Sequence, residues 1–495
     1  MIKRGVWRQI KRRDVPNNRR CVKSEWVFKT KRNGVFRARL VACGYSQIPG
    51  VDYSDNFSPV VHDITFRVLI LAMMIFRLSA KIVDAETAFP YGDLEEEIYM
   101  DCPEGLEGAN KQDDALLLQQ CIYGLVQGAR QYHKKAVEIL KRIGFTGGDV
   151  DPCLYMKKSK KGLVFIALYV DDNLMVSHPK AIVDAIEGMK KHGLILKVED
   201  ELNDYLSCEI KFSDDKKKAW LGQPHLISNL EGTFGELVKG SRTYKTPGTP
   251  HLNMVRNTDD TQAISIKNQG LYRSGVGMLL WLVKHSRPDI ANPVRELSKC
   301  LDGATQASFK EMLRIIKYVL DTKDMGLKME PTSHQDGPWE LICFSDSDYA
   351  GDADTRRSVS GYILYVRGVP IAWRSKAQRS VTLSSTEAEW VALSEAVKEI
   401  IFVLQLLESL EIKVELPIIV RVDNVGAIFM SGNKTTTSRA KHVDIRTKYV
   451  NKYCEDGKIK IVFVKSVDND SDICTKNLGC DLFEKHSKKL VKNYE

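Results

Sequence analysis

The sequence predicts an α+β chain built from several domains, and three observations predict it. At 495 residues the chain exceeds what one hydrophobic core serves, and about 100–200 residues per domain gives roughly three. Two stretches read as breaks. One is 242–264, where Pro247, Gly248 and Pro250 precede Asn257-Thr258-Asp259-Asp260-Thr261; the other is 331–338, with a proline at each end and Gly337 inside. They divide the chain into 1–245, 246–330 and 331–495. Finally, short apolar runs that end in acids alternate with longer stretches apolar at helical intervals, so strands and helices are mixed.

Each block justifies its elements in order. In 1–245, Ile82-Val83-Asp84 is a short apolar run closed by an acid. Phe165 to Val170 then runs into Asp171-Asp172 before Asn173-Leu174-Met175-Val176 turns apolar again, which predicts a hairpin with carboxylates at its turn. In 246–330, Tyr272 to His285 is apolar at helical spacing and stops before Arg287-Pro288. Phe309 to Leu320 repeats the pattern at 309, 312, 313, 315, 316, 319 and 320. In 331–495, Leu341 to Phe344 is a strand, and Tyr362–Val366 with Val369–Trp373 forms a hairpin around Arg367-Gly368. Glu389 to Leu410 is a long helix whose Leu393, Val397, Ile400, Leu404 and Leu407 share one face. Strands at Ile418–Val422 and Ile459–Val464 complete a mixed sheet with helices packed on it.

Composition narrows the function. Hydrophobic residues at 43% and charged residues at 28% suit a folded protein. The net charge of +9 is uneven: residues 1–50 hold 14 Lys+Arg against Asp14 and Glu25, a local +12, so the other 445 sum to −3. A polyanion is the natural partner of that basic segment. The longest apolar run, Val68 to Phe76, is nine residues, short of the ~20 a membrane span needs. With no signal-like apolar leader, the chain is expected to be neither secreted nor membrane-bound. Eleven cysteines without zinc-finger spacing point to reduced intracellular thiols. Lys11-Arg12-Arg13 and Arg19-Arg20 can be read as a nuclear import signal or as phosphate contacts.

Two sets of carboxylates carry the chemistry. Acids beside buried strands are costly unless neutralised, so Asp84, Asp171 and Asp172 call for a cation; a plain polar turn is the alternative. Three strand-end carboxylates can hold two Mg²⁺ ions, which suits phosphoryl transfer. In the last block Asp346, Glu389, Asp423 and Asp472 can converge over a sheet and bind two ions for phosphodiester hydrolysis. Thr386-x-x-Glu389 is equally a capping box, and Asp348, Asp352 and Glu387 are rival ligands.

Tyr169-Val170-Asp171-Asp172 resembles the polymerase signature of reverse transcriptases. Its surroundings are similar to copia-type LTR retrotransposons: Arg39-Leu40-Val41-Ala42-Cys43-Gly44-Tyr45-Ser46-Gln47, Asp84-Ala85-Glu86-Thr87-Ala88-Phe89, Tyr123-Gly124-Leu125-Val126-Gln127 and Asp151-Pro152-Cys153-Leu154-Tyr155. In the last block Phe344-Ser345-Asp346-Ser347-Asp348-Tyr349-Ala350, Ser384-Ser385-Thr386-Glu387-Ala388-Glu389, Val422-Asp423-Asn424 and Asp472-Ile473-Cys474-Thr475-Lys476 resemble the ribonuclease H domain of that family.

The resemblance implies a right-hand polymerase (fingers, palm, thumb) over 1–245, a connection over 246–330 and a ribonuclease H-like mixed-sheet domain over 331–495. It implies an RNA-directed DNA polymerase with ribonuclease H activity, using two Mg²⁺ per site with Mn²⁺ as a substitute. Asp84, Asp171 and Asp172 would be the polymerase metal triad, and Asp346, Glu389, Asp423 and Asp472 the ribonuclease four. Phe89 would exclude a ribose 2′-hydroxyl, Gln127 would contact the incoming nucleotide, and Lys29, Lys31, Arg37 and Arg39 would meet its triphosphate. His442 is either a substrate contact or a satisfied structural histidine. The implied partners are an RNA template, a DNA or tRNA primer, an RNA–DNA hybrid and dNTPs, in a cytoplasmic virus-like particle or the nucleus. The chain departs from the family at Val126-Gln127-Gly128-Ala129-Arg130, which lacks the usual second basic residue and proline, and at Leu206-Ser207, where the family has Leu-Gly. Nothing in it resembles a nucleocapsid knuckle, aspartic protease or integrase. Two rival readings stand beside the polymerase: a non-catalytic nucleic-acid-binding remnant, and a protein active only as a nuclease.

Overall fold

The computed structural model describes residues 4–30, 34–256, 263–432 and 441–494. It has the expected α+β class. The chain forms two compact units: Met1–Phe66 with Leu78–Leu202, and Arg67–Arg77 with Asn203–Glu495. Among the described residues no helix is long and apolar enough to cross a membrane.

The first unit centres on a six-stranded antiparallel sheet. Its order is Leu196–Glu199, Ser79–Ala85, Asp172–Ser177, Gly162–Tyr169, Leu154–Ser159, Thr146–Gly147. The two central strands are buried along most of their length, and the helix Pro179–Lys191 lies against them with Ala181, Ile182, Ala185, Ile186 and Met189 turned inward. A second sheet joins Trp7–Lys11, Asp114–Leu118, Tyr99–Asp101 and Cys21–Val22. There the basic segment spends part of its charge: Lys11 pairs with Asp114 and Arg12 with Asp101, each at 2.8 Å. A separate hairpin, Ser24–Thr30 with Phe36–Ala42, places Lys29 opposite Arg37 and Val27 opposite Arg39, so the three cations share one face.

In the second unit a five-stranded mixed sheet runs Val369–Ala377, Val359–Val366, Leu341–Asp348, Ile418–Val422, Ile459–Phe463. The first three strands are antiparallel neighbours, and the last two run parallel to Leu341–Asp348. The predicted strand at 341 continues through the acids to Asp348, since Asp346 pairs in register with Gly361. The long helix, Ser385–Ser409, packs on the two strands Leu341–Asp348 and Val359–Val366. One hydrophobic core links Phe344, Ile363 and Ile473 to the helices Pro224–Val238, Ile266–His285 and Gln306–Asp321. The predicted helices at 272–285 and 309–320 lie inside the last two.

The Leu206-Ser207 departure falls at a tight turn. Tyr205 pairs with Cys208, so these two residues are the whole loop, and both have positive φ (53° and 64°). That signature belongs to turns that favour Asn-Gly, and each L side chain there costs roughly 1 kcal/mol. Leu206→Asn with Ser207→Gly is therefore expected to stabilise the unit by ~1–2 kcal/mol. Thermal melting checks it, and a lower midpoint would count against the turn assignment. At Arg367-Gly368, the predicted hairpin turn, φ is also positive, and the Arg367 guanidinium offsets the cost by bonding the carbonyls of Ser333, Gln335 and Gly337.

Candidate active sites

The first site forms where two strands of the six-stranded sheet end together. Asp84 is directly opposite Asp172 across the antiparallel pair, and Asp171 occupies the two-residue turn with Val170. Val170, a β-branched residue, is held at φ 54°, an outlier that surrounding bonds must enforce. Those bonds are present: the Asp171 carbonyl accepts from the Ala85 amide at 3.0 Å, and the Asn173 side chain donates to the Val83 and Asp171 carbonyls. On the other side of Asp84, Lys197 is its register partner and pairs with Glu199 at 2.7 Å. Burial raises the Asp84 carboxyl above its ordinary range, and the neighbouring Asp171 charge raises it further, against Lys197 and Arg37. A charged group raised in this way is poised to accept a cation.

Beside these acids, a cavity of about 650 Å³ is lined by Arg37, Arg39, Trp26, Thr87, Tyr123 and neighbours. The Arg39 guanidinium lies 4.4 Å from the Tyr123 ring centroid, and its Nε has no hydrogen-bond partner. The Phe89 ring stands edge-on to Tyr123, centroids 4.5 Å apart, and a Cβ at Gly128 would touch it at 3.5 Å. Phe89 is thus held by Tyr123 and by the hydrophobic cluster it packs against. Gln127, the expected nucleotide contact, is buried. It is 1% exposed, accepts from Gln47 Nε2 at 3.0 Å and donates to the Asp52 carbonyl at 2.9 Å, so it braces the loop rather than presenting its amide. Lys29 is exposed on the hairpin, and Lys31 and the His442 side chain lie outside the described residues.

The second site is more tightly gathered. Asp346, Asp423 and Asp472 each offer a carboxylate oxygen within 4.8 Å of the others. Asp84, Asp171 and Asp172 are not brought to that spacing among the described residues. Asp346 is inside its strand and 1% exposed; Asp423 follows Ile418–Val422, where Ser466 donates to it at 2.7 Å. Asp472 opens the short helix Asp472–Thr475, which rests on three strands of the sheet. Glu389 Oε1 accepts the Ser347 amide at 3.2 Å, while its buried Oε2 has no partner. Burial, then the charges of Asp346 and Asp423, push the Glu389 carboxyl up to about 9. Burial, then Asp346, push Asp472 up to about 8.

Two of the three rivals are engaged elsewhere. The helix is capped by Ser384, whose Oγ accepts the Glu387 amide, and Glu387 accepts the Leu383 amide in return. Glu387 is therefore the capping acid, and Glu389 is free to face the aspartates. Asp352 is bound to Lys299 at 2.8 Å and to Thr355, and its carboxyl stays well below the ordinary range despite burial. Asp348 is different: burial and then the Asp346 charge raise its carboxyl against Lys476, so it borders the cluster. Two residues that sequence reasoning did not single out enter the site: Thr475 donates to Asp346 Oδ2, and the Lys476 ammonium is 3.2 Å from both Asp346 and Asp472. Their only local signal is their place just after Asp472. Oxygen donors, the orphaned Glu389 Oε2 and the gathered charge fit a hard divalent cation.

Residues 5–231 match the family described as reverse transcriptase (RNA-dependent DNA polymerase). A retrovirus-related Pol polyprotein from transposon TNT 1-94 of Nicotiana tabacum is 31% identical over 490 residues, 97% of this chain and 36% of the relative. The corresponding polyprotein from transposon RE1 of Arabidopsis thaliana is 29% identical over 481 residues, 96% of this chain and 32% of the relative. This chain thus spans about a third of the length of these two relatives. A solved foamy viral protease-reverse transcriptase in complex with double-stranded DNA is 13% identical with a TM-score of 0.47, over 94% of this chain and 68% of that one. The motifs around Asp84, Asp171, Asp346 and Asp472 and the near full-length match to plant transposon polyproteins agree: residues 5–231 are of the reverse transcriptase family, and the chain as a whole is similar to copia-type retrotransposon Pol polyproteins.

Proposed function

We propose that this chain is an RNA-directed DNA polymerase that also cleaves the RNA strand of RNA–DNA hybrids. One observation carries the reading: seven acids fall in two separate groups, Asp84, Asp171 and Asp172 at neighbouring strand ends, and Asp346 and Asp423 on strands facing Glu389 and Asp472 on helices. In the first, Asp84, Asp171 and Asp172 would hold two Mg²⁺, with Mn²⁺ as a substitute; in the second, Asp346, Glu389, Asp423 and Asp472 would do so. Bound there, such ions would supply charge stabilisation to the attacking and leaving oxygens of phosphoryl transfer.

The protein's own groups do the rest. Arg37 and Arg39 line the cavity beside the triad and would receive a dNTP triphosphate, with Lys29 on the same hairpin face adding to the attraction. The packed Phe89 ring would meet the sugar edge and disfavour a 2′-hydroxyl. Gln127 would act by holding the Gln47 and Asp52 segments in place. In polymerisation the primer 3′-hydroxyl attacks the α-phosphate and pyrophosphate leaves. In hydrolysis water attacks the RNA phosphodiester, leaving a 3′-hydroxyl on one fragment. The domain reading of 1–245, 246–330 and 331–495 as polymerase, connection and ribonuclease H goes with this proposal, as do an RNA template, a DNA or tRNA primer and a virus-like particle or nuclear setting.

Primer extension on an RNA template with Mg²⁺ or Mn²⁺ tests it. Incorporation of dNTPs is expected from the full chain, falling at least about a thousandfold in Asp171→Asn. Hybrid cleavage is expected to be lost in Asp423→Asn with extension kept. Zero incorporation by the unaltered chain, identical to Asp171→Asn, would refute the polymerase. Cleavage without incorporation would favour the nuclease-only reading, and neither activity the non-catalytic remnant.

A further inference from the structure

The Lys476 ammonium sits on the same oxygens that would hold an ion in the second site. It is 3.2 Å from Asp346 Oδ2, 3.4 Å from Asp346 Oδ1 and 3.2 Å from Asp472 Oδ1. Asp346 Oδ2 also accepts from Thr475, so that oxygen is already engaged twice. The placement is built rather than casual: Lys476 follows Asp472 by four residues around one helical turn, which points both side chains the same way. Asp346 and Asp472 are both buried, while the lysine side chain is about a third exposed (36%), so the carboxylates are fixed and the cation has a way out. A Mg²⁺ or Mn²⁺ ion needs carboxylate oxygens at about 2.0–2.2 Å with its own octahedral shell. An ammonium on those oxygens blocks that shell sterically and repels the ion by like charge.

We propose that Lys476 is a resident counter-cation that occupies one cation position of the Asp346–Asp423–Asp472 cluster in the metal-free protein and is displaced as a divalent ion enters. This rests on the metal-site reading of the cluster proposed above. Lys476 then sets the threshold of ion concentration at which the site fills, and it holds four mutually repelling acids together before that. Once displaced, its flexible stem leaves the ammonium at the mouth of the site, next to where a phosphodiester would lie.

The test is Mn²⁺ binding followed by the electron paramagnetic resonance of free Mn²⁺. The full chain carries Asp84→Asn, Asp171→Asn and Asp172→Asn, so that ions at the first site do not contribute. Lys476→Met keeps the side chain's length without its charge, and Lys476→Gln is a second neutral variant should the first fail to fold. Either is expected to bind Mn²⁺ at least about tenfold more tightly than the Lys476 protein, and Lys476→Arg is expected to bind no more tightly. Equal or weaker binding in folded neutral variants, with binding present in the Lys476 protein, overturns the counter-cation alone. No binding in any variant overturns the metal reading and this inference with it.

Discussion

Gly361→Val is expected to lower hybrid cleavage at least about a hundredfold while primer extension by the same protein stays unchanged. Gly361 has no side chain, yet it is the register partner of Asp346 on the neighbouring strand. The segment that bears Asp472 crosses directly over it. A Cβ at this position would lie 2.6 Å from Thr475 Cγ2, 2.9 Å from Cys474 Cβ and 3.2 Å from the Ser471 carbonyl oxygen. None of these is the loose end of a long side chain. Cys474 and Thr475 are buried, so the turn cannot yield locally and must lift as a body. Lifting it withdraws Asp472 from Asp346 and Asp423 and breaks the Thr475 bond to Asp346. A shift near 1 Å in a group that orders reacting atoms can cost about 10²-fold in rate. Gly361→Ala should give the same defect in smaller measure, since alanine adds the Cβ without the branch. The first unit contains no part of this contact, which is why extension serves as the internal control. Cleavage at the unaltered rate in Gly361→Val would show that the turn is not held by the missing side chain.

The same contact explains what was legible in the sequence and what was not. Strands that end in acids are local patterns, so Asp84, Asp171, Asp172 and Asp423 could be placed from their neighbours alone. Glu389 was ambiguous for a local reason. Both Thr386-x-x-Glu389 and Ser384-x-x-Glu387 have capping-box spacing or close to it, and only the true helix start separates them. With about 100° per residue, Glu387 and Glu389 lie roughly 200° apart around the helix, so when one caps the other must face elsewhere. Thr475 and Lys476 reach Asp346 across 129 and 130 residues, and no periodicity announces such a pair. Gln127 is held by Gln47 and Asp52, 80 and 75 residues away, and no local pattern shows that pairing. Two of the cations behind the local +12 have partners that no local pattern shows. Lys11 and Arg12 pair with Asp114 and Asp101, about a hundred residues on. Long-range pairing of Met325–Met329 with Val491–Asn493 was equally invisible, because a short strand names no partner.

In the absence of divalent cations the chain is expected to lose stability as pH rises from about 5 to 9, and Mg²⁺ is expected to remove most of that slope. Glu389 is held up to about 9 by burial and by the charges of Asp346 and Asp423, and Asp472 up to about 8 by burial and Asp346. Burial and Asp346 raise Asp423 as well. In the unfolded chain these acids titrate near 4, so between that pH and their folded values the native state binds more protons than the unfolded state. Stability therefore falls with rising pH, by up to about 1.4 kcal/mol per pH unit for each group titrating. The acids interact, so the loss belongs to the cluster as a whole. Lys476 works against it: although burial pulls its ammonium down, Asp346 and Asp472 hold it above its ordinary value, and it stays charged across this range. A divalent ion binds the deprotonated carboxylates, so its contribution grows with pH, reaching about 2.7 kcal/mol at a hundredfold excess over Kd. Thermal melting of the full chain from pH 5 to 9, with chelator or with Mg²⁺, reads both effects. Glu389→Gln separates the cluster from every other titrating group. It removes the acid with the largest shift, so at pH 8 with chelator this variant should melt higher than the unaltered chain and gain less from Mg²⁺. A metal-free midpoint that is flat or rises with pH would mean that the four carboxylates do not share a buried charge.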